Sequence, residues 1–169
     1  MEVLEATKKR RSIRRFKDIL ISAEAMEKLK EALIWAPSAG NVQPRKFFFI
    51  TDSEVKEKLR EAVRQSFVCD ASLLVVACRD LDRASTYGER GRNLYSITDT
   101  SFSLQNLVLE ACELGLGTCY IGAFDGEKVS EILNLPEYLK PMLLVPIGYP
   151  AETPLPTSRI SEEDAVKEI

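Results

Sequence analysis

Two short apolar runs constrain the fold of this chain more than any other feature. Residues 72–78 (SLLVVAC) and 141–148 (PMLLVPIG) are almost continuously apolar, without the polar alternation of a strand that has one face in water. Such runs are typical of strands that neighbouring elements cover on both sides. The chain is therefore expected to build a sheet that is flanked by helices.

Helical periodicity and capping residues account for much of the remaining chain. Ser22, Ser53 and Asp125 are each placed to cap the start of a helix. A long helix is predicted from about Tyr95 to Leu114, where a glycine follows that can end it. The expected buried stripe of this long helix consists of Ile97, Ser101, Leu104, Val108, Ala111 and Leu114.

The order of these elements indicates the α+β class. Strands are also predicted at 46–51 and 117–122, which gives a mixed, mainly antiparallel sheet of four to five strands without regular βαβ alternation. Because no interior linker or repeat is present, residues 1–169 are expected to form one domain. Residues 151–169 form an extended tail, which cannot bury itself and is expected to pack on a partner subunit.

Composition excludes several broad classes of function. The net charge of -3 over 169 residues argues against a general nucleic-acid binder. No apolar stretch reaches the roughly 20 residues that cross a bilayer, so no membrane contact is expected. The acidic first residues lack the apolar run of a signal peptide, and a cytoplasmic location is expected.

The chain contains no histidine, which limits the chemistry of its side chains. Catalysis by Ser-His-Asp or Cys-His groups is excluded, as are most zinc sites, and no metal is expected. The four cysteines lie in apolar segments without a C-x-x-C pair, so they are predicted to be buried free thiols. The reaction chemistry is therefore expected to come with a cofactor.

An arginine-rich segment is the strongest candidate for a cofactor site. Residues 10–15 (RRSIRR) contain four arginines and one serine. Guanidinium groups match phosphate oxygens bidentately and remain charged at physiological pH, and a serine hydroxyl adds a further phosphate partner. The segment is interpreted as an anion site, and the alternative is a solvated basic turn.

Four segments in this order resemble the FMN-dependent nitroreductase family. They are RRSIRRF (10–16), APSAGNVQP (36–44), ELGLGTCYIGAFD (113–125) and TSRIS (157–161). Each segment alone is a weak signal, but the set spans nearly the whole chain with compatible spacing. The resemblance implies a nitroreductase-like fold, a homodimer with FMN at the subunit interface, and NADH or NADPH as the reductant.

The resemblance also implies roles for individual residues. The family's first flavin motif is matched by Arg10, Arg11, Ser12 and Arg14, of which Arg10 and Ser12 would hold the phosphate and Arg14 would reach the pyrimidine edge of the ring. Arg159 would close on the phosphate from the tail. The loop that the other subunit lays along the flavin is matched by Pro37, Ser38, Ala39, Asn41 and Gln43. The strand end beside the ring is matched by Ile121, Gly122 and Ala123. Gln65 is a further candidate for a polar flavin contact.

The expected chemistry needs little from the protein beyond binding and tuning the ring. Flavin carries the hydride transfer itself, so no catalytic side chain is assigned. A cation at Arg14 would stabilise the negative charge of the reduced ring. Gly122 is interpreted as allowing close backbone approach to the ring, whereas Gly117 is interpreted as structural. The polar segment 79–94 is the candidate for a mobile segment over the pocket.

The expected function is hydride transfer from NAD(P)H through FMN to a small oxidised acceptor by a ping-pong mechanism. The acceptor would be a nitroaromatic, a quinone or a flavin. A rival hypothesis is an FMN enzyme of the same fold that remodels flavin or removes halogen. A second rival is a non-enzymatic protein that stores or senses flavin, and a third is a phosphate- or nucleic-acid-binding module built on the basic segment.

Overall fold

The computed structural model describes residues 1–169 and contains four β-strands and eight α-helices. The strands are β1 (Arg45–Ile50), β2 (Leu73–Asp80), β3 (Gly117–Thr118) and β4 (Leu139–Gly148). The helices are α1 (Val3–Lys9), α2 (Ala23–Ile34), α3 (Ser53–Arg60), α4 (Leu81–Ala84), α5 (Gly88–Arg90), α6 (Ser96–Glu113), α7 (Gly126–Ile132) and α8 (Glu162–Ala165). No helix is both long enough and apolar enough to span a membrane.

The four strands form one antiparallel sheet in the order β1-β2-β4-β3. The two apolar runs of the sequence become β2 and β4, which are the central pair. The prediction of an α+β fold with a mainly antiparallel sheet is therefore confirmed. A single parallel bridge joins Ser12 to Thr118, so the arginine-rich segment runs along the outer side of β3.

Both faces of β2 are buried, as its apolar run predicts. Leu74, Val76 and Cys78 point into one core with α3 and α7, and the alternate residues of β2 point into a second core with α2 and α6. Each fully buried aliphatic side chain stabilises the fold by roughly 1.5–3 kcal/mol. The sheet is therefore the middle layer of three.

The cysteines are free thiols, as predicted. Cys69, Cys78 and Cys119 are buried and Cys112 is half-buried. Burial raises the pKa of the Cys78 thiol to about 12, which keeps it protonated and inert.

Helix ends agree with the sequence at three positions, which include the cap Asp125 of α7, and differ at one. Ser22 accepts a hydrogen bond from the Ala25 N–H at 3.2 Å and caps α2, as predicted. The predicted cap Ser53 is wrong, because Asp52 accepts from the two backbone N–H groups of the first turn of α3, at 2.8 and 2.9 Å. A carboxylate is the stronger acceptor and also suits the positive end of the helix dipole. Gly115 ends α6 with a left-handed φ of 73°.

The predicted strand 117–122 is shorter than expected. Only Gly117–Thr118 pairs continuously with β4, and pairing returns at the isolated bridge between Ile121 and Leu144. Of the two positions of β4 between these pairings, one is occupied by Pro146, which has no N–H to donate. The ladder is therefore interrupted by a proline on the neighbouring strand.

The N-terminal half of α6 does not bury the predicted stripe. Ile97 is exposed, whereas Ser96, Asp99, Thr100 and Ser103 are buried. These polar groups tolerate burial because each finds a partner. The Thr100 hydroxyl, for example, donates to the Ser96 carbonyl at 2.7 Å. Of the segment 79–94, the first two residues end β2 and the others form consecutive helical turns that lead into α6, and its mobility stays a prediction.

Candidate functional site

The arginine-rich segment is an extended stretch that is fixed to the sheet edge. The Ile13 N–H donates to the Thr118 carbonyl at 2.9 Å, and the Ile13 side chain is buried. A Cβ added at Gly117 would lie 2.6 Å from Ile13 Cγ1, so glycine permits this close approach. This supports the structural interpretation of Gly117, and it places the side chains on either side of Ile13 at the surface.

A cavity of about 400 Å³ lies between this segment, the end of α6 and the start of the tail. Its lining includes Lys9, Arg10, Arg11, Gly115, Thr118, Pro150, Glu152 and Pro156. Arg11 turns back on α1, where its Nη1 donates to the carbonyls of Lys8 and Arg10 and caps the helix. The guanidinium groups of Arg10 and Arg14 have no hydrogen-bond or ion-pair partner within the chain and are free to bind an anion.

Glu152 joins the tail to the arginine-rich segment, and sequence analysis did not identify it. Its Oε1 accepts from the N–H groups of Arg14 and Arg15 at 2.6 and 3.1 Å, and its Oε2 pairs with Arg15 Nε at 3.2 Å. The hydrogen bond from the Arg14 N–H is the main cause that lowers the pKa of the Glu152 carboxyl. Glu152 therefore engages Arg15 and leaves the Arg14 side chain free.

The loop between α2 and β1 has an unusual backbone. Gly40, Asn41 and Gln43 have φ values of 54°, 57° and 53°, in the left-handed region. Ser38 Oγ accepts from the Gln43 N–H at 2.7 Å, and Asn41 Oδ1 accepts from Gln43 Nε2 at 3.0 Å. Non-glycine residues in this region persist only where their surroundings hold them, and such residues cluster at functional sites.

Two residues that sequence analysis did not identify, one in β1 and one in α6, form hydrogen bonds with the backbone of this loop. Arg45 donates from its guanidinium to the backbone carbonyls of Pro37 and Ala36, and Asp99 accepts from the Ala39 N–H at 3.1 Å. Burial lowers the pKa of the Arg45 guanidinium, and the neighbouring charge of Asp99 opposes this effect.

The third predicted segment lies at the other end of the interrupted β3 ladder. Ile121 is buried, whereas Gly122 and Ala123 are exposed and line a cavity of about 510 Å³ with residues 61–64 and Phe124. Nearby in sequence, Gln65 begins a short 3-10 turn, and its Oε1 is buried without a hydrogen-bond partner. A buried amide oxygen without a partner is costly, and it marks a place where a donor is missing.

One chain does not bring all the predicted site residues into one cavity. Arg10 and Arg11 line the first cavity, Gly122 and Ala123 line the second, and Gln43 lines a third of about 370 Å³ beside β1. Arg159 lies in the exposed tail and donates to Thr157 and to the Ser158 carbonyl instead of lining the first cavity. Only residues between 150 and 156 of the tail line the first cavity, and the closure of Arg159 on the phosphate stays a prediction.

The sequence matches a family with the same architecture. The profile of the nitroreductase family matches residues 7–67 and 62–149. A protein of Methanothermobacter thermautotrophicus, with the provisional name NADH dehydrogenase/NAD(P)H nitroreductase, is 33% identical over 91% of this chain and 80% of its own length. An NADPH-dependent oxidoreductase of Staphylococcus haemolyticus is 30% identical over 89% of this chain, which spans only 65% of that protein.

Solved structures agree with the sequence match. A nitroreductase family protein of Clostridium difficile superposes with a TM-score of 0.87 at 30% identity, covering 99% of this chain and 98% of that one. The NADPH:FMN oxidoreductase of Vibrio harveyi, solved with NAD+, has a TM-score of 0.90 at 28% identity over 98% of this chain and 76% of that one. The matched residues, the three-layer fold and these relatives together identify the chain as an oxidoreductase of the nitroreductase family.

Proposed function

We propose that this protein is an FMN-dependent oxidoreductase that takes hydride from NADH or NADPH and passes it to a small oxidised acceptor. The observation that carries the proposal is the arginine-rich segment. The sheet edge fixes its backbone, and the guanidinium groups of Arg10 and Arg14 have no partner in the chain. Guanidinium groups that have no partner favour the binding of an anion. The names of the Vibrio and Staphylococcus relatives support the choice of NADPH and FMN.

The residues present fit FMN at two further positions. Arg11 Nε and Gln65 Oε1 are buried polar atoms without a partner, and both belong to segments expected to touch the flavin. In the proposed site Arg10 and Ser12 bind the phosphate, Arg11 adds positive charge, and Arg159 closes on the phosphate from the tail. Arg14 lies at the pyrimidine edge of the ring, and Gln65 accepts from a ring donor. Bound FMN would supply the hydride chemistry, and the chain would hold and tune it.

We infer that two copies of the chain complete the site. The large apolar side chains of Ile97 and Phe102 on α6 are exposed, while the buried positions of the same turns are polar. Exposed apolar groups on a helix whose buried positions are polar fit a helix that packs against a second copy. A second copy would also explain why the predicted site residues lie in three separate cavities. The flavin cleft of one copy would be completed by five residues of the other: Pro37, Ser38, Ala39, Asn41 and Gln43.

The tail belongs to this two-copy assembly in our proposal. Residues 151–169 leave the arginine-rich segment at Glu152, and their apolar side chains Leu155 and Ile160 are 85% and 72% exposed. Apolar groups this exposed gain most by packing on another surface. Residues 1–169 would thus form one FMN-binding domain whose tail packs on the partner. The resulting cleft would leave one ring face open for NAD(P)H and then the acceptor, which predicts ping-pong kinetics.

A spectroscopic titration tests the proposed function. The purified protein is incubated with FMN, and unbound FMN is removed. We expect the protein to be yellow. We also expect its absorbance at roughly 450 nm, the flavin maximum, to disappear when NADPH or NADH is added without oxygen. A nitroaromatic or quinone should then restore the absorbance. A colourless protein would refute FMN binding. A yellow protein that neither nucleotide reduces would instead indicate flavin storage.

A further inference from the structure

One residue of the loop 36–43 has a backbone conformation that its residue type does not favour. Gly40 and Asn41 adopt left-handed φ values readily, but Gln43 has a φ of 53° and is neither glycine nor asparagine. The hydrogen bonds inside the loop join Gln43 to Ser38 and Asn41, only five and two positions away. Because such a residue persists only where its surroundings hold it, contacts from outside the loop are expected to contribute to this conformation.

Arg45 supplies most of these outside contacts. Its Nη2 donates to the Ala36 carbonyl at 2.7 Å and to the Ile34 carbonyl at 3.4 Å. Its Nη1 donates to the Pro37 carbonyl and to the Asp99 carbonyl, both at 3.1 Å. One planar guanidinium thus joins the end of α2, the start of the loop and the middle helix α6. An ammonium group cannot span four acceptors in this way.

Asp99 supplies the complementary contact from α6. The residue is 2% exposed, and its Oδ2 accepts from the Ala39 N–H at 3.1 Å. Arg45 Nη1 also donates to the backbone carbonyl of Asp99, so the two residues meet at α6. Both therefore act on the loop backbone, Arg45 on its carbonyls and Asp99 on the Ala39 N–H.

We infer that Arg45 and Asp99 are a pair of positioning residues that set the loop 36–43 in the shape that contacts the flavin of the other copy. This inference rests on the proposed function, because Ser38, Asn41 and Gln43 are its flavin contacts. Asp99 is buried, and every hydrogen bond of the Arg45 guanidinium goes to a backbone carbonyl, so the pair acts through the loop backbone. Their effect is to fix the backbone before FMN arrives, which lowers the ordering cost of binding.

The test compares Arg45→Met, Arg45→Lys and Asp99→Asn with wild type, and uses Lys46→Met as the matched control. Lys46 is the next residue of β1 and is exposed, and its ammonium has no ion-pair partner. Two quantities are measured: the FMN dissociation constant by flavin fluorescence, and amide hydrogen exchange of the FMN-free protein. We expect Arg45→Met to raise the dissociation constant at least ten-fold and Arg45→Lys to have a smaller effect.

Amide exchange distinguishes positioning from a general loss of stability. Exchange at Ala39 and Gln43 is expected to accelerate at least ten-fold in Arg45→Met while β2 amides keep their protection, and Lys46→Met should match wild type in both measurements. If Arg45→Met does not fold, Arg45→Lys and Asp99→Asn decide by the same criteria. An FMN dissociation constant within two-fold of wild type, or equal acceleration in β2, would overturn the inference. A wild-type protein that binds no FMN would instead refute the proposed function.

Discussion

At the scale of single residues, the candidate site is defined by which polar atoms lack partners. Arg15 and Glu152 satisfy each other, whereas the neighbouring Arg14 guanidinium is free. Because side chains alternate in direction along an extended segment, the adjacent Arg14 and Arg15 have different roles. Arg15 holds the tail, and Arg14 is available to a ligand.

Replacing Arg14 with alanine should lower the reduction potential of the bound flavin and slow its reduction. A cation about 4 Å from the reduced ring is worth roughly 4 kcal/mol at an effective dielectric of 20, before desolvation is subtracted. Because Arg14 is exposed, we expect a smaller drop of about 30 mV, which is about 1.4 kcal/mol for a two-electron couple. Equilibrium reduction against a reference dye measures it. Lys17→Ala is the control, and an unchanged potential in Arg14→Ala would exclude the tuning role.

Replacing Gly40 with alanine should lower the free energy of unfolding more than the same replacement at a left-handed glycine with open space around it. Gly40 and Gly115 both have a left-handed φ, but an added Cβ would lie 2.0 Å from the Tyr87 hydroxyl at Gly40 and would meet nothing within 4 Å at Gly115. We expect Gly115→Ala to lower the free energy of unfolding by about 1–2 kcal/mol through backbone strain alone, and Gly40→Ala to lower it further. Chemical denaturation of both variants measures this. Equal losses would mean that Tyr87 moves aside freely.

At the scale of elements, α6 combines two tasks on opposite faces. Its inward face carries Asp99 and Ser103, which bond the loop and the Leu33 carbonyl. Its outward face carries apolar groups, and the nearby Tyr120 and Leu143 extend this surface around Phe102. The helix would therefore connect the subunit contact directly to the flavin loop.

Replacing Phe102 with glutamate should separate the two copies. The side chain is 48% exposed in the single chain, and its burial in a dimer would become the burial of an unpaired carboxylate. We expect the dissociation constant of the dimer to rise at least 100-fold, which corresponds to about 2.7 kcal/mol. Analytical ultracentrifugation over a dilution series measures it. Tyr138→Glu, at a similarly exposed aromatic residue outside α6, should leave the assembly unchanged, and a dimeric Phe102→Glu protein would contradict this assignment.

The anchor of the tail should weaken in acid. The pKa of Glu152 is lowered by its hydrogen bonds in the fold, so its contribution is present above the ordinary carboxyl pKa of about 4.5. The contribution is lost as the pH falls below that value and the carboxyl protonates. Wild type should therefore lose more free energy of unfolding between about pH 5 and pH 3 than Glu152→Gln. Identical pH profiles would show that the contact contributes nothing.

At the scale of the whole molecule, the sequence predicted what depends on local pattern. Apolar runs located β2 and β4, and glycine located the end of α6. The interruption of β3 depends on Pro146 of a neighbouring strand, and the inverted face of α6 depends on hydrogen bonds to distant backbone. Neither is visible in a local window.

In the candidate site, too, the residues marked by a local pattern could be predicted and the others could not. The clustered arginines could be found from the sequence because the pattern that indicates an anion site lies within one short segment. Asp99 and Glu152 were missed because the contacts that join them to the site span 60 and 138 positions along the chain. Arg45 directly follows the loop in sequence, but it bonds to backbone carbonyls, and a residue pattern does not reveal such contacts. The separation of the predicted residues into three cavities is likewise a property of the folded chain, and it is the strongest reason for a shared site.

Native mass spectrometry of the protein after incubation with FMN tests the central claim most directly. The account predicts a species of two 19.0 kDa chains carrying two FMN molecules, because each flavin cleft needs residues from both copies. Dilution or the Phe102→Glu change should release chains and FMN together. A single chain that retains one FMN, or a dimer that binds none, would contradict the account.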